Sequence, residues 1–185
     1  MDNQTELTGN EVFFEKDDII VSKTDLKGKI TYVNGTFLVI AGYTEEETLG
    51  QPHNFIRHPD MPRCIFKLLW QTLQTGNEVF AYVINQTKTG DHYWVLAHVT
   101  PSLDSNGQIC GYHSNRRIPD PTVLNTDIKP LYRKLLEEEA KHTNIKEGMN
   151  ASLKIITDQL AEADLTYDEF IFSLINPKDQ MSKAA

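Results

Sequence analysis

The stretch VFAYVINQTKTGDHYWVLAHVTPSLDSNGQICGYHSNRR, residues 79–117, decides the fold. Val79–Gln86, His92–Thr100 and Gln108–Arg117 are runs rich in β-branched and aromatic residues. Their connectors, Lys88-Thr89-Gly90-Asp91 and Asp104-Ser105-Asn106-Gly107, carry the glycine and Asx residues of hairpin turns. Three such runs in succession make an antiparallel meander. Upstream, Ile19–Lys23 and Ile30–Val33 alternate apolar and polar residues around the turn Asp25-Leu26-Lys27-Gly28, which reads as a further hairpin. Between the two groups of strands, Asn34 caps a short helix running through Ala41, and Thr44 with Glu47 forms a capping box for another that stops at Gly50. Ile65, Leu69 and Leu73 then recur at helical spacing, with Phe66 and Trp70 on an adjoining stripe and Arg63, Lys67, Gln71 and Gln74 opposite. The expected class is α+β: five antiparallel strands in one sheet with short helices on one face, followed by a C-terminal helical extension.

The length of 185 residues accommodates one domain and an appendage. The expected division is an N-terminal extension at 1–17, a sensor-sized domain at 18–118 and an amphipathic helical tail at 119–185. In the tail, Ile128, Leu131, Leu135, Ile145, Met149, Ile156 and Leu160 form an apolar stripe. Thr166 and Glu169 then open a last helix over Phe170 to Ile175, closed by Pro177. With 18 Lys and Arg against 26 Asp and Glu, the net charge of −8 opposes binding to phosphate backbones, so nucleic acid is not an expected partner. Cys64 and Cys110 lie far apart and form no CxxC pair, which argues against a disulfide framework or thiolate zinc site and fits a reducing cytosol. Met1–Lys16 lacks the basic start and apolar run of a secretion signal, and no segment approaches the roughly 20 apolar residues of a membrane-spanning helix. The expectation is a cytoplasmic protein without direct membrane insertion, whose access to the inner membrane face comes through a partner.

The order of elements and the phrase Gly42-Tyr43-Thr44-Glu45-Glu46-Glu47 up to Leu49-Gly50 resemble the PAS fold. More specific is the string Gly50-Gln51-Pro52-His53-Asn54-Phe55-Ile56-Arg57-His58-Pro59-Asp60-Met61-Pro62, followed by Trp70 and by Gly90-Asp91-His92-Tyr93-Trp94-Val95. These blocks resemble the flavin-binding PAS domains of aerotaxis receptors. The resemblance covers roughly residues 18 to 118 and implies noncovalent binding of FAD, a change of shape with the redox state of the ring, and a report on oxygen or respiratory flux. It further implies a stand-alone PAS partner that signals to a separate membrane-bound chemotaxis transducer. The apolar stripe of the tail must itself be buried, in a hairpin of its own or against a second copy of the chain or the transducer, and a homodimer that docks on the transducer is the expectation.

Several residues are candidates for the cofactor site, each beside a plainer role. Trp70 and Phe66 either stack on the ligand or pack in the core. Asn85 shares the register of Val79, Ala81 and Val83, so its amide falls on an apolar face and needs a partner such as the polar edge of a flavin. Arg57 suits a pyrophosphate or carboxylate, His58 could donate to the ligand, and Asp60 could orient either one or accept from a ribose hydroxyl. The alternative is a self-contained polar turn. Asn34 and His53 are weaker candidates, Asn34 being equally a helix cap. Tyr93 shares the apolar register Tyr93, Val95, Ala97, Val99 and faces either the ligand or the core, in a count that leaves His92 and Trp94 exposed.

No catalytic residue and no metal site are expected. His92 and His98 share a strand face without a third ligand at metal spacing, the glycines form no phosphate loop, and Cys64 lies away from the loop position of a light-sensing thiol. The chain is accordingly read as a sensor and not as an enzyme. The alternatives are a haem-binding PAS oxygen sensor, with His53 or His58 as axial ligand, and a ligand-free PAS adaptor.

Overall fold

The computed structural model describes residues 6–175. They fall into two compact units: the residues up to Met61 with Thr72–Ile118, and Pro62–Gln71 with the residues from Pro119 onward, so the second takes in part of a helix embedded in the first's sequence.

In the first unit, β1 (Ile20–Thr24), β2 (Ile30–Val33), β3 (Val79–Gln86), β4 (His92–Leu103) and β5 (Ile109–Arg117) form one antiparallel sheet in the order β2-β1-β5-β4-β3. The β1–β2 and β4–β5 turns use the same device. The Asp25 carboxylate accepts from the amides of Lys27 and Lys29, and that of Asp104 from those of Asn106 and Gln108, at 2.8 and 2.9 Å in each turn. Gly28 and Gly107 complete the turns, each at φ 76°. An aspartate that satisfies two turn amides while glycine supplies the left-handed residue is the local chemistry the sequence displays.

Between β2 and β3 come α1 (Gly35–Ala41), α2 (Glu45–Thr48), a 3-10 turn (His53–Ile56) and α3 (Arg63–Gln74). Both bonds of the Thr44–Glu47 capping box are present. The segment 50–53 runs along the free edge of β2: Ile30 donates to the Gln51 carbonyl at 2.9 Å, Gly50 to that of Ile30 at 2.8 Å, and His53 to that of Gly28 at 2.8 Å. This pairing delivers His53 to the sheet. The N-terminal segment also pairs, with Glu11 in a parallel bridge to His92.

Side chains of one sheet face follow from the register. Asn85 pairs with Tyr93, Ala97 with Arg116, and Arg116 with Ile20. One face therefore carries Ile20, Ser22 and Thr24 of β1, Asn85 of β3, Tyr93 and Ala97 of β4, and Ser114 and Arg116 of β5. This inner face is the one on which Phe37 of α1 lies, 5.6 Å from the Arg116 guanidinium. The other face departs from the expected alternation. Trp94, read from the sequence as exposed, is only 6% exposed, and Tyr82 and Ile84 beside it are equally buried. A strand buried on both faces keeps no polar register, so counting by twos could not place Trp94.

The second unit continues through α4 (Pro121–Val123), a π-helical turn (Leu124–Ile128), α5 (Lys129–Ala140), α6 (Ile145–Glu162) and α7 (Tyr167–Ile175). The α5 and α6 helices pack on each other. The Glu139 carboxylate accepts from Ser152 Oγ at 3.0 Å, and a Cβ on Gly148 would come within 2.7 Å of the Glu139 carbonyl. The apolar stripe expected of the tail is corrected at one point. Ile145 is 63% exposed, while Tyr132, Gly148 and Ser152 are buried. Ile145 is the first residue after the Asn144 cap, before the helix has turned its packed face inward. The Thr166–Glu169 capping box opens α7 as expected; Pro177 lies outside the described residues.

A tight backbone approach at one glycine of the sheet tests this packing. A Cβ on Gly111 of β5 would stand 2.4 Å from the Thr24 carbonyl oxygen of β1. Gly111→Ala must push the two strands apart and is expected to lower stability by about 1–3 kcal/mol, the range of an overpacked interior. A urea midpoint equal to wild type would show that the strands separate freely.

Candidate functional site

The inner face holds an unusual concentration of buried polar groups. Arg116 is 2% exposed, Asn85 3%, Ser22 1% and Tyr93 0%. Arg116 Nη2 donates to Ser22 Oγ and to His53 Nε2, the latter at 2.6 Å, and its Nε donates to Ser114 Oγ at 3.1 Å. Ser22 Oγ also lies 3.1 Å from His53 Nε2. His53 Nε2 must therefore be the unprotonated acceptor, with the ring proton on Nδ1. Although His53 is partly exposed as a residue, its ring is enclosed, and desolvation first, then the Arg116 charge, pushes its pKa down to about 3. Desolvation also lowers Arg116, to about 10, leaving it fully charged at neutral pH. Burial raises the Tyr93 phenol to about 12, opposed by the Arg116 charge. The Asn85 amide acts on that phenol too, but weakly and without a hydrogen bond of ordinary geometry.

Among the described residues of this unit, four buried side-chain atoms lack a hydrogen-bond partner: Thr24 Oγ1, Asn85 Nδ2, Tyr93 OH and Arg116 Nη1. All four belong to the inner face. A buried polar group without a partner costs about 1–3 kcal/mol, so four on one face are groups that a polar ligand or water would satisfy. An amide donor, a hydroxyl that both donates and accepts, and a cationic donor match the donor set that a flavin ring, with its carbonyls and ring nitrogens, requires.

The residues expected from the sequence separate into several groups. Asn85 and Tyr93 face each other across β3 and β4, and the backbone of Arg57 bridges to that of Asn85, bringing its loop to the same place. The Arg57 side chain bonds within the loop, Nη2 donating to the Met61 carbonyl at 2.8 Å. His58 is buried with its ring 5.5 Å from that of His92, and its Nδ1 accepts from the Asp60 amide at 3.1 Å, so a neutral His58 carries its proton on Nε2. The Asp60 side chain is 73% exposed. Asn34 is corrected: its Oδ1 accepts from Phe37 and Val21, each at 3.0 Å, and its Nδ2 donates to the Ile19 carbonyl at 2.7 Å. The amide both caps α1 and ties it to β1, so its oxygen and its nitrogen each have a structural partner. Phe66 and Trp70 are half-buried on the 62–71 stretch that belongs to the second unit.

Sequence reading missed Arg116, Ser22 and Thr24. The signal for Arg116 was present once the β4–β5 turn is fixed, but a bulge between Ser102 and Leu103 shifts the register, so counting back from the turn misassigns its face. Cys64 is buried with its thiol pKa raised to about 11, chiefly by desolvation, and so carries no thiolate. His98 lies 2.6 Å from Glu78 and stacks on Phe80; among the described residues no cluster of three potential ligands could hold a metal ion.

A single antiparallel sheet of this strand order, with its helices inserted between the second and third strands, is the architecture of the PAS fold. Residues 30–116 match the family model described as the PAS fold. Over 120 residues, 64% of the chain, it is 44% identical to the aerotaxis receptor of Escherichia coli (strain K12). It is 29% identical over 150 residues, 80% of the chain, to the nitrogen fixation regulatory protein of Klebsiella pneumoniae. The matched stretch spans 23% of the receptor and 30% of the regulator. Among solved structures, a light-oxygen-voltage domain studied with a flavin analogue superposes at a TM-score of 0.55 with 19% identity, covering 62% of this chain and 87% of that one. Likeness at that identity concerns the fold.

Two expectations follow from the hydrogen bonds. Asn34→Ala removes a cap and a strand tie, and should lower stability by about 1–2 kcal/mol; an unchanged urea midpoint would return Asn34 to the candidate ligands. For His53, the folded value near 3 lies below the ordinary 6.5, so the fold favours the neutral ring. Its contribution is complete above pH 6.5 and is lost as pH falls toward 3, by up to about 1.4 kcal/mol per pH unit. Urea unfolding at pH 7.5, 6 and 5 should show a slope that flattens in His53→Gln; parallel slopes would place the ring in water.

Proposed function

We propose that this chain is a redox sensor: its PAS domain holds FAD noncovalently and converts the redox state of the ring, and through it oxygen or respiratory flux, into a contact with a membrane-bound chemotaxis transducer. The observation that carries the reading is the set of four unpartnered buried polar atoms on the inner sheet face. The ring supplies reversible redox chemistry. Asn85 and Tyr93 would hold its polar edge, and the apolar residues Val83, Val95 and Ala97 of the same face would exclude water from it. The identity to the aerotaxis receptor supports FAD and an energy-taxis role. A haem site is less favoured, because the His53 ring nitrogen is already engaged by Arg116 and Ser22 and the Nδ1 of His58 by a backbone amide. No catalysis is assigned to the chain.

The proposed output is a protein contact, because a sensor acts by changing its affinity for something in one of two states. The C-terminal unit, as a homodimer or docked on transducer helices, is the proposed output surface, and Ile145 is an exposed apolar residue available to it. No helix among the described residues is long and apolar enough to cross a membrane, which supports a cytoplasmic chain recruited to the membrane by its partner.

The ligand is tested by acid release from the purified chain followed by chromatography. Stoichiometric FAD is expected; FMN or haem would overturn the assignment. Asn85→Ala and Tyr93→Phe should each weaken flavin binding by roughly 5- to 100-fold while circular dichroism stays native, as expected for one lost bond to a buried group. Full retention in both would mean that these are packing residues.

A further inference from the structure

Arg116 is the one group of the inner face whose chemistry goes beyond holding a ligand. Its guanidinium is buried, lies in the middle of the sheet on β5, and has no carboxylate partner among the described residues. Of its five N–H donors, Nε and both hydrogens of Nη2 are taken, by Ser114, Ser22 and His53. All three acceptors are neutral. Phe37 covers the guanidinium at 5.6 Å, and the two N–H groups on Nη1 have no acceptor. Burying an ion without a counter-charge is among the least favourable arrangements a fold contains, and proteins usually pair such a group. Here the surroundings hold the cation in position and leave its charge uncompensated. That arrangement suits a ligand whose charge becomes more negative.

We propose that Arg116 sets the reduction potential of the bound flavin by stabilising the negative charge that the ring acquires on reduction, with Ser22, Ser114 and His53 as positioning residues that fix the guanidinium. The inference rests on the flavin reading above. Two electrons and one proton from a low-potential donor, which is itself oxidised, leave the ring with one net negative charge. A fixed cation beside the ring in a water-poor interior favours that state over the oxidised one, and so raises the potential. His53 suits this role because its ring stays neutral, accepting from Arg116 without adding a second charge. The same pairing makes reduction of the ring compensate a buried charge of the protein, which gives the two redox states different internal electrostatics and hence the differential stability that a sensor needs.

The test is a dithionite titration of the full flavin-loaded chain against reference dyes, on wild type, Arg116→Lys and Arg116→Gln. In Arg116→Gln the preference for reduced over oxidised ring should fall at least tenfold, a drop in midpoint of about 30 mV or more for a two-electron couple. Arg116→Lys, which keeps the charge, should recover part of the loss. A purely structural arginine would change flavin affinity and stability but leave the midpoint where it was, and a Gln variant that binds flavin at the wild-type midpoint overturns the proposal. If the Gln variant does not fold, Ser22→Ala with Ser114→Ala loosens the guanidinium and should lower the midpoint in the same direction; an unchanged midpoint there overturns it equally. A wild-type chain that takes up no flavin removes the underlying reading and this inference together, whereas a flavin-loaded wild type with an insensitive midpoint removes only the role of Arg116.

Discussion

A guanidinium enclosed in a β-sheet must be held by neutral acceptors when no carboxylate is near, and much of the first unit is arranged around that requirement. Ser22 reaches Arg116 because β1 pairs with β5, and His53 reaches it because the 50–53 segment is hydrogen-bonded along the edge of β2. Phe37 reaches it because Asn34 ties α1 to β1. Each contact comes from a different part of the chain, so the environment of one side chain depends on the strand order, the edge pairing and the placement of the first helix. Those are also the features that make the inner face polar in a domain otherwise built from Ile, Val and Tyr.

Two asparagines with the same side chain show how the surroundings assign the role. Asn34 sits where backbone groups of Ile19, Val21 and Phe37 converge, and both its oxygen and its nitrogen are bonded to them. Asn85 sits in a strand whose backbone groups are already paired with β4 and the Arg57 loop, so its amide has only side chains and a ligand to turn to. The first is a clamp and the second a candidate contact, a difference set by backbone neighbours and not by residue type.

This explains which parts of the molecule were legible in the sequence. The hairpin turns, the caps of α1, α2 and α7, and the extents of α3 and β3 depend on residues within a few positions, and those are readable from spacing alone. The shared face of Asn85 and Tyr93 was legible because strand alternation over an unbroken run is a local signal. Arg116 lay beyond a bulge, and Ser22 and His53 matter only through partners distant in sequence. The burial of Trp94 likewise depends on what covers the far face of the sheet, which alternation within a strand does not contain. The pairing of Glu11 with His92 and the helical geometry of Leu124–Ile128 left no local signature.

The twin aspartate turns have a kinetic corollary. Each closes its hairpin through amides two and four residues away, so β1–β2 and β4–β5 can form early, from contacts that require little loop closure. Joining the halves requires β1 to find β5, and the Ser22–Arg116 bond spans 94 residues. Such pairing is the slow kind, because the chain between the partners must be ordered before the contact repays it. The polar inner face is assembled from both halves, so it exists only after that step. A flavin would then meet a finished domain and trap it by mass action, with no part in guiding the chain toward its native topology.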